Sequence, residues 1–209
     1  MIMGGRPAPR CPGLRPMRAL MTATLCTLAL FAPQTQAAPM LWRVNAAQSV
    51  ISFDYAANDI PASGAFTQVS GEGRFDPDNL AATRLELLID VGSLDLGDPI
   101  ESAFALSAEW FDAANHPVAR YRLAALTALG DGRFEALGDL TIKGRLKVLR
   151  TPITLAISDD RATASGELAF DRRDFDVGAG PSSLFISVGN AVSVRFTLVA
   201  EAARLGNAL

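Results

Sequence analysis

Apolar and polar residues alternate with a period of two through most of the chain. Leu85, Leu87, Ile89 and Val91 alternate with Arg84, Glu86 and Asp90, interrupted only by Leu88. Phe134, Ala136, Gly138, Leu140 and Ile142 alternate with Arg133, Glu135, Asp139 and Lys143, and Val192, Val194, Phe196 and Leu198 with Ser193, Arg195 and Thr197. A strand turns successive side chains to opposite faces, so each run builds one apolar and one polar face. The pattern predicts strands over 41–44, 50–56, 65–75, 83–91, 118–129, 133–142, 146–157, 163–170 and 192–201. Turn-forming clusters separate them: Asn58-Asp59 with Pro61, Asp76-Pro77-Asp78-Asn79, Asp131-Gly132, Lys143-Gly144 and Ser158-Asp159-Asp160. Asp131-Gly132 between two alternating runs is a strong hairpin signal. Only 100–111 reads as helical, with Ile100, Ala103, Phe104 and Ala108 near helical spacing. The chain is therefore all-β, an antiparallel meander for which a sandwich and a closed barrel compete. A barrel has no free edge, and about eight strands leave room for one small ligand.

The first 37 residues stand apart from this pattern. Arg15 and Arg18 precede an apolar run from Ala19 to Ala32, and Gln34, Thr35, Gln36, Ala37 and Ala38 follow it. That is the order of a secretory signal, with cleavage expected after Ala37 and Met17 as an alternative start. The apolar core spans 14 residues, short of the roughly 18–20 that cross a bilayer as a helix. Cys11 and Cys26 both lie in this segment, and Ala23-Thr24-Leu25 before Cys26 lacks the small residues expected ahead of a lipidated cysteine. Residues 38–209 form the expected mature domain, periplasmic and without a disulfide. Loss of Arg6, Arg10, Arg15 and Arg18 leaves 15 Lys and Arg against 22 Asp and Glu, a net charge of −7. Such a domain is a poor partner for nucleic acid and has no stable membrane insertion; a homodimer is left open.

Reactive chemistry is sparse. His116 is the only histidine, and a zinc site needs three or four ligands, so no metal, cofactor or catalytic residue is expected. No spacing singles out a carboxylate pair for glycoside hydrolysis. Gly71-Glu72-Gly73 lies inside a strand pattern with no helix after it, which reads as a bulge or bend rather than a phosphate loop. Lys143, Arg145 and Lys147 share one strand face and, with Arg150, form the one basic cluster. It is read as a solvated outer face, with docking to an anionic headgroup or acidic protein as the alternative.

From Trp42 to Glu201 the chain resembles the YceI-like proteins. The opening motif is represented by Trp42, Val44, Asn45, Gln48-Ser49 and Phe53, and the next by Ser93-Leu94-Asp95-Leu96-Gly97. Trp110-Phe111-Asp112, His116-Pro117 and Tyr121 follow at the family's spacing. Gly138-Asp139-Leu140-Thr141-Ile142-Lys143-Gly144 is the most specific string, continued by Pro152-Ile153-Thr154-Leu155, Arg172 to Phe175 and Gly189 to Leu198. The family pattern has His where this chain has Gln48, polar residues where it has Glu101-Ser102, Phe104 and Leu106, and Gly where it has Asp176. About four extra residues separate Gly144 from Pro152.

The resemblance implies a periplasmic, lipocalin-like barrel that binds an isoprenoid lipid or another long-chain amphiphile and is not an enzyme. Candidates for the lining are Phe53, Tyr55, Leu87, Ile89, Tyr121, Leu140, Leu155, Phe170, Val194 and Phe196, with Phe104, Leu106, Trp110 and Phe111 near one mouth. Any of these residues is equally at home in a solid core, so the alternative is a filled barrel acting through its surface as an interaction or stress-response module. The departures at Gln48, Phe104 and Leu106 are expected to shift head-group choice while leaving tail binding intact.

Overall fold

The computed structural model describes residues 40–181 and 187–203; the signal-like segment lies outside them. Eleven strands form one antiparallel sheet: β1 (Met40–Val44), β2 (Val50–Ala57), β3 (Ile60–Phe66), β4 (Val69–Phe75), β5 (Arg84–Asp90), β6 (Leu94–Asp95), β7 (Val118–Gly130), β8 (Arg133–Ile142), β9 (Arg145–Ser158), β10 (Arg161–Asp171) and β11 (Ala191–Ala202). One helix, α1 (Pro99–Ala105), lies between β6 and β7. The order β1-β4-β5-β7-β8-β9-β10-β11 returns to β1, so the sheet closes into an eight-stranded barrel.

Two wall strands are each built from two pieces. The lower half of β11 pairs with β1 at Ala200–Ala202, and its upper half pairs with β2 at Ser193–Thr197. β1 and β2 are thus halves of one strand, broken by a 3₁₀ turn at Ala46–Gln48. Ser49 mends the ladder there: its hydroxyl accepts the Val199 N–H at 3.0 Å and donates to the Asn45 carbonyl at 2.8 Å. The adjoining strand breaks beside it, at Thr67-Gln68 between β3 and β4. Below the break β4 pairs with β5; above it β3 pairs with β2 on one side and on the other meets only the short β6, at Ala65 and Phe66. That parting of β3 from β5 makes room for the excursion that carries α1. Asp98 caps α1, accepting the Ile100 and Glu101 N–H groups, and Pro99 occupies its first turn. The helix ends at Ala105, short of the expected 111, because Leu106 to Asp112 close successive turns instead.

β3 also starts earlier than the sequence suggests, at Ile60. The β2–β3 turn is only Asn58-Asp59, both left-handed with φ of 50° and 61°, the conformation a two-residue hairpin needs. Pro61 is tolerated because no strand pairs with the outer side of β3 at that position.

The glycine pair of β4 is not a bulge. Gly71 and Gly73 keep regular partners, Leu87 and Leu85, and the irregularities of the sheet lie in β7 at Leu123/Ala125 and Ala128/Gly130. The glycines permit close approach instead: a Cβ on Gly71 would stand 2.4 Å from the Glu86 carbonyl oxygen. Gly71→Ala is therefore expected to lose about 1–3 kcal/mol in urea unfolding. Gly189→Ala, whose new Cβ would meet nothing closer than 3.4 Å, should stay within about 0.5 kcal/mol of wild type.

An apolar cavity closed at one end

The inward rows of the strands enclose a cavity of about 250 Å³. This exceeds the roughly 150 Å³ void that takes up one benzene and lies just under the usual range of ligand sites, about 300–1,000 Å³. Nine of the sequence candidates stand on its wall: Leu87, Ile89, Phe111, Tyr121, Leu140, Leu155, Phe170, Val194 and Phe196. The rest of the lining is mostly aliphatic, with Trp42, Phe66 and Phe75 as further rings and Arg74, Thr83, Arg84 and Thr151 as its polar residues; among the described residues no Asp, Glu or His is part of it. The interior is hollow rather than filled.

Small residues make the hollow. Gly73, Ala119, Ala136, Ala162, Ala164 and Ala200 occupy inward positions where large side chains would meet in the centre. The large rings, for their part, lie against glycines of the neighbouring strand. A Cβ on Gly138 would fall 2.2 Å from the Tyr121 ring, and one on Gly166 would fall 2.8 Å from the tip of Phe196. Each aromatic covers bare backbone along the wall instead of projecting across the lumen. These small residues were missed by a search for bulky lining; their signal was the period-two run Ala162, Ala164, Gly166 in β10.

The other five candidates do not line the cavity. Phe53 shares the inward row but packs over Gly64 and against Phe66, with ring centroids 5.6 Å apart. Tyr55 lies one position further up, 5.9 Å from Phe53, and burial followed by the Glu101 charge raises its pKa. Leu106, partly buried, packs against the core that contains Val69 and Val91. Trp110 belongs to a second cluster with Phe175 and Val177, and Phe104 stacks obliquely on it at 5.9 Å while remaining partly exposed. Gln48 is exposed on its 3₁₀ turn, outside the cavity. The departures at Gln48, Phe104 and Leu106 therefore fall on residues that do not touch the lumen, and the expected shift in head-group choice has no contact to act through.

The two ends of the barrel differ. At the α1 end, Trp110 and the fully buried Phe175 lie over Phe111, Leu140, Ile142 and Phe170. Arg172 fixes this cover from a buried position. Its guanidinium donates to the carbonyls of Val177, Gly178, Val188 and Gly189 and stacks 5.3 Å from the Trp110 ring centre. The basic cluster lies on a solvated outer face beside this cover, the side chains of Arg145 and Arg150 being 64% and 68% exposed. Lys143 Nζ donates to the carbonyls of Glu109 and Asp176, Arg145 pairs with Asp176 at 2.6 Å and Lys147 with Asp174 at 3.1 Å. Arg150 alone points elsewhere, to Glu135. Asp176 takes the left-handed φ of 55° at the position the family pattern gives to glycine. At the opposite end the lining reaches solvent: Arg74, Arg84 and Ile157 are its exposed members.

His116 is half-buried beside Gly144, with Nε2 3.8 Å from Asp112 Oδ2. Among the described residues no group of three metal-ligating side chains converges, and no helix is long and apolar enough to cross a membrane.

A closed antiparallel barrel with an apolar, single-mouthed cavity is the architecture of lipocalin-like binding proteins. The family model of the YceI-like domain matches residues 42–200, and the chain belongs to that family. A UPF0312 protein of Vibrio cholerae is 28% identical over 131 residues, covering 60% of this chain and 69% of the relative. Burkholderia cenocepacia BcnA is similar in structure, with a TM-score of 0.68, 33% identity and coverage of 75% of this chain and 98% of its own. A polyisoprenoid binding domain from Saccharophagus degradans, implicated in plant cell wall breakdown, shares the fold with a TM-score of 0.65, 19% identity and coverage of 78% and 99%.

Tyr121 reports on the dryness of the cavity. Burial, reinforced by the Asp139 charge, pushes its pKa up to about 12. The unfolded chain loses that proton near pH 10, so stability is fully present below pH 10 and declines between pH 10 and 12. Tyr121→Phe is expected to abolish this share of the alkaline loss, read from urea midpoints across that window.

Proposed function

We propose that this chain is an exported carrier that sequesters an amphiphile with a long apolar tail, an isoprenoid lipid or quinone first among them, inside the barrel. The observation that carries the reading is a hollow, apolar lumen open at one end only. The polyisoprenoid-binding domain of Saccharophagus degradans, with the same fold, supports the choice of ligand. Binding needs no covalent step: the tail leaves water for the lumen and the head stays at the mouth. Each buried methylene contributes about 0.8 kcal/mol, so ten carbons supply on the order of 8 kcal/mol. Association and chain ordering offset several kcal/mol of that. A lumen of about 250 Å³ takes a short chain whole or the end of a long one.

Enlarging a wall alanine should fill the lumen without breaking it. Ala164→Phe is expected to melt no lower than wild type while losing at least about tenfold in affinity for a fluorescent fatty-acyl or retinoid probe. It should also lose any lipid that co-purifies and is detected by organic extraction and mass spectrometry. Full probe binding by a folded Ala164→Phe protein would rule the lumen out as the site.

The signal-like segment supports export to the periplasm. Intact-mass and N-terminal analysis of protein recovered from the periplasmic fraction should give a chain beginning at Ala38.

A further inference from the structure

Two aromatic rings meet at the open end although their strands are not neighbours. Phe75 is the last residue of β4 and Phe134 the first inward residue of β8, with β5 and β7 between them. Phe75 is part of the lumen lining, and Phe134 shares the inward row of β8 with Ala136, which is also part of it. The ring centroids are 6.2 Å apart, edge to face at 89°. The course of the wall brings them together. The β5–β7 ladder ends at Glu86 and Arg122, while β7 runs on to Gly130 paired with β8 alone. Irregularities at Leu123/Ala125 and Ala128/Gly130 bend that stretch, and the start of β8 is carried toward β4. Thr83, opposite Phe75 one step beyond the β4–β5 ladder, lines the lumen between the two strands and is 6% exposed. The wall behind the rings is sealed.

The facing arc of the rim is built differently. Ile157, Ala162 and Ala200 are neighbours in the β9–β10–β11 ladder, across the barrel from β5 and β7, and all three line the lumen. Ile157 is 43% exposed, so on this side the lining reaches solvent. The mouth is therefore a slot, with a bar of two half-buried rings on one side and a low aliphatic wall on the other.

We propose that Phe75 and Phe134 are the specificity-determining residues of the mouth, and that the bar they form admits one hydrocarbon chain and rejects two. The cargo is a single-tailed amphiphile, its tail in the lumen, its head in water and its neck against the two rings. Selection by shape works by making the wrong ligand clash. One narrow chain at the slot exchanges part of the ring–ring contact for ring–chain contact and loses little. A second chain leaving the same head has to displace the rings from a packed wall or stay in water, and either course weakens binding. This rests on the carrier reading and narrows it, since an apolar lumen alone does not count tails.

The test compares two isomeric alcohols, dodecanol with one chain and 2-butyloctanol with two, by displacement of a neutral fluorescent probe from the mature protein. Head group and carbon count are the same, so only the width at the neck differs. Dodecanol is expected to bind at least about tenfold tighter, as steric selection in an apolar site provides. In the Phe75→Ala/Phe134→Ala double variant the ratio should fall below about threefold, chiefly because 2-butyloctanol binds better. Phe134→Tyr, which keeps the ring and lets its hydroxyl reach water at the rim, should retain the wild-type ratio. Melting temperature verifies each fold; if the double alanine variant unfolds, Phe75→Leu/Phe134→Leu keeps apolar bulk without the rings and should also lower the ratio. A ratio near one in wild type, or a ratio unchanged in the folded double variant, overturns the bar while leaving the carrier intact. An unchanged ratio would mean that the lumen, not the rim, sets the width. Failure of both alcohols and of the probe to bind overturns the carrier reading itself.

Discussion

Everything in this molecule depends on closure of the backbone hydrogen-bond ladder between β11 and the strand made of β1 and β2. An open sheet of this length would present two edges to solvent and to other chains, and its inward row would have nothing to enclose. Closure needs β11 to meet one strand along its whole length, yet the wall must bend on the way. The Asn45–Ser49 corner reconciles the two demands. The chain steps out through one 3₁₀ turn, where the Asn45 N–H still donates to the Val199 carbonyl and the Ser49 hydroxyl stands in for the missing backbone acceptor of the Val199 N–H. The segment from Asn45 to Ser49 thus bends a strand without unpairing it.

The break also explains why the ends of the barrel differ. Once β3 leaves β5, the α1 end must be covered by other parts of the chain, and the cover is layered. Trp110 and Phe175 supply apolar bulk, Arg172 ties four carbonyls together beneath them, and Lys143, Arg145 and Lys147 fasten the rim. The exposed ion pairs in that outer ring contribute modestly, each up to about 1 kcal/mol. The buried guanidinium contributes more, because four carbonyls would otherwise lack their donor. Among the described residues the other end has no such cover, and its rim is where the lining reaches solvent.

The wall of the barrel was legible in the sequence because strand alternation is a local property. Leu140, Val194 and Phe196 face inward because their neighbours are polar, and no distant information is needed to say so. The same reasoning could not show where the lumen is wide. Phe53 and Phe196 carry the same local signal, but Phe53 lies above the break, over Gly64, while Phe196 lies beside the cavity. Trp110, Phe104 and Leu106 read as mouth residues, but their place depends on how the excursion after β6 folds back. The partners of the basic cluster were out of reach for a related reason: Asp174 and Asp176 are 27 and 31 residues away from Lys147 and Arg145. Small inward residues were invisible to a search that weighted size, although they decide whether there is a cavity at all.

The pairing of rings with glycines separates two properties that are usually bound together. In most protein interiors, volume removed from the core is stability lost. Here an aromatic laid flat on a neighbour's glycine buries its surface against the wall, so the shell stays well packed while the space beyond it stays free. The bore of the barrel is therefore set by the order of glycine and aromatic between adjacent strands, Tyr121 over Gly138 and Phe196 over Gly166, independently of the ladder that keeps it closed. A lineage can widen or narrow its cargo space by exchanging such partners and leave the container standing.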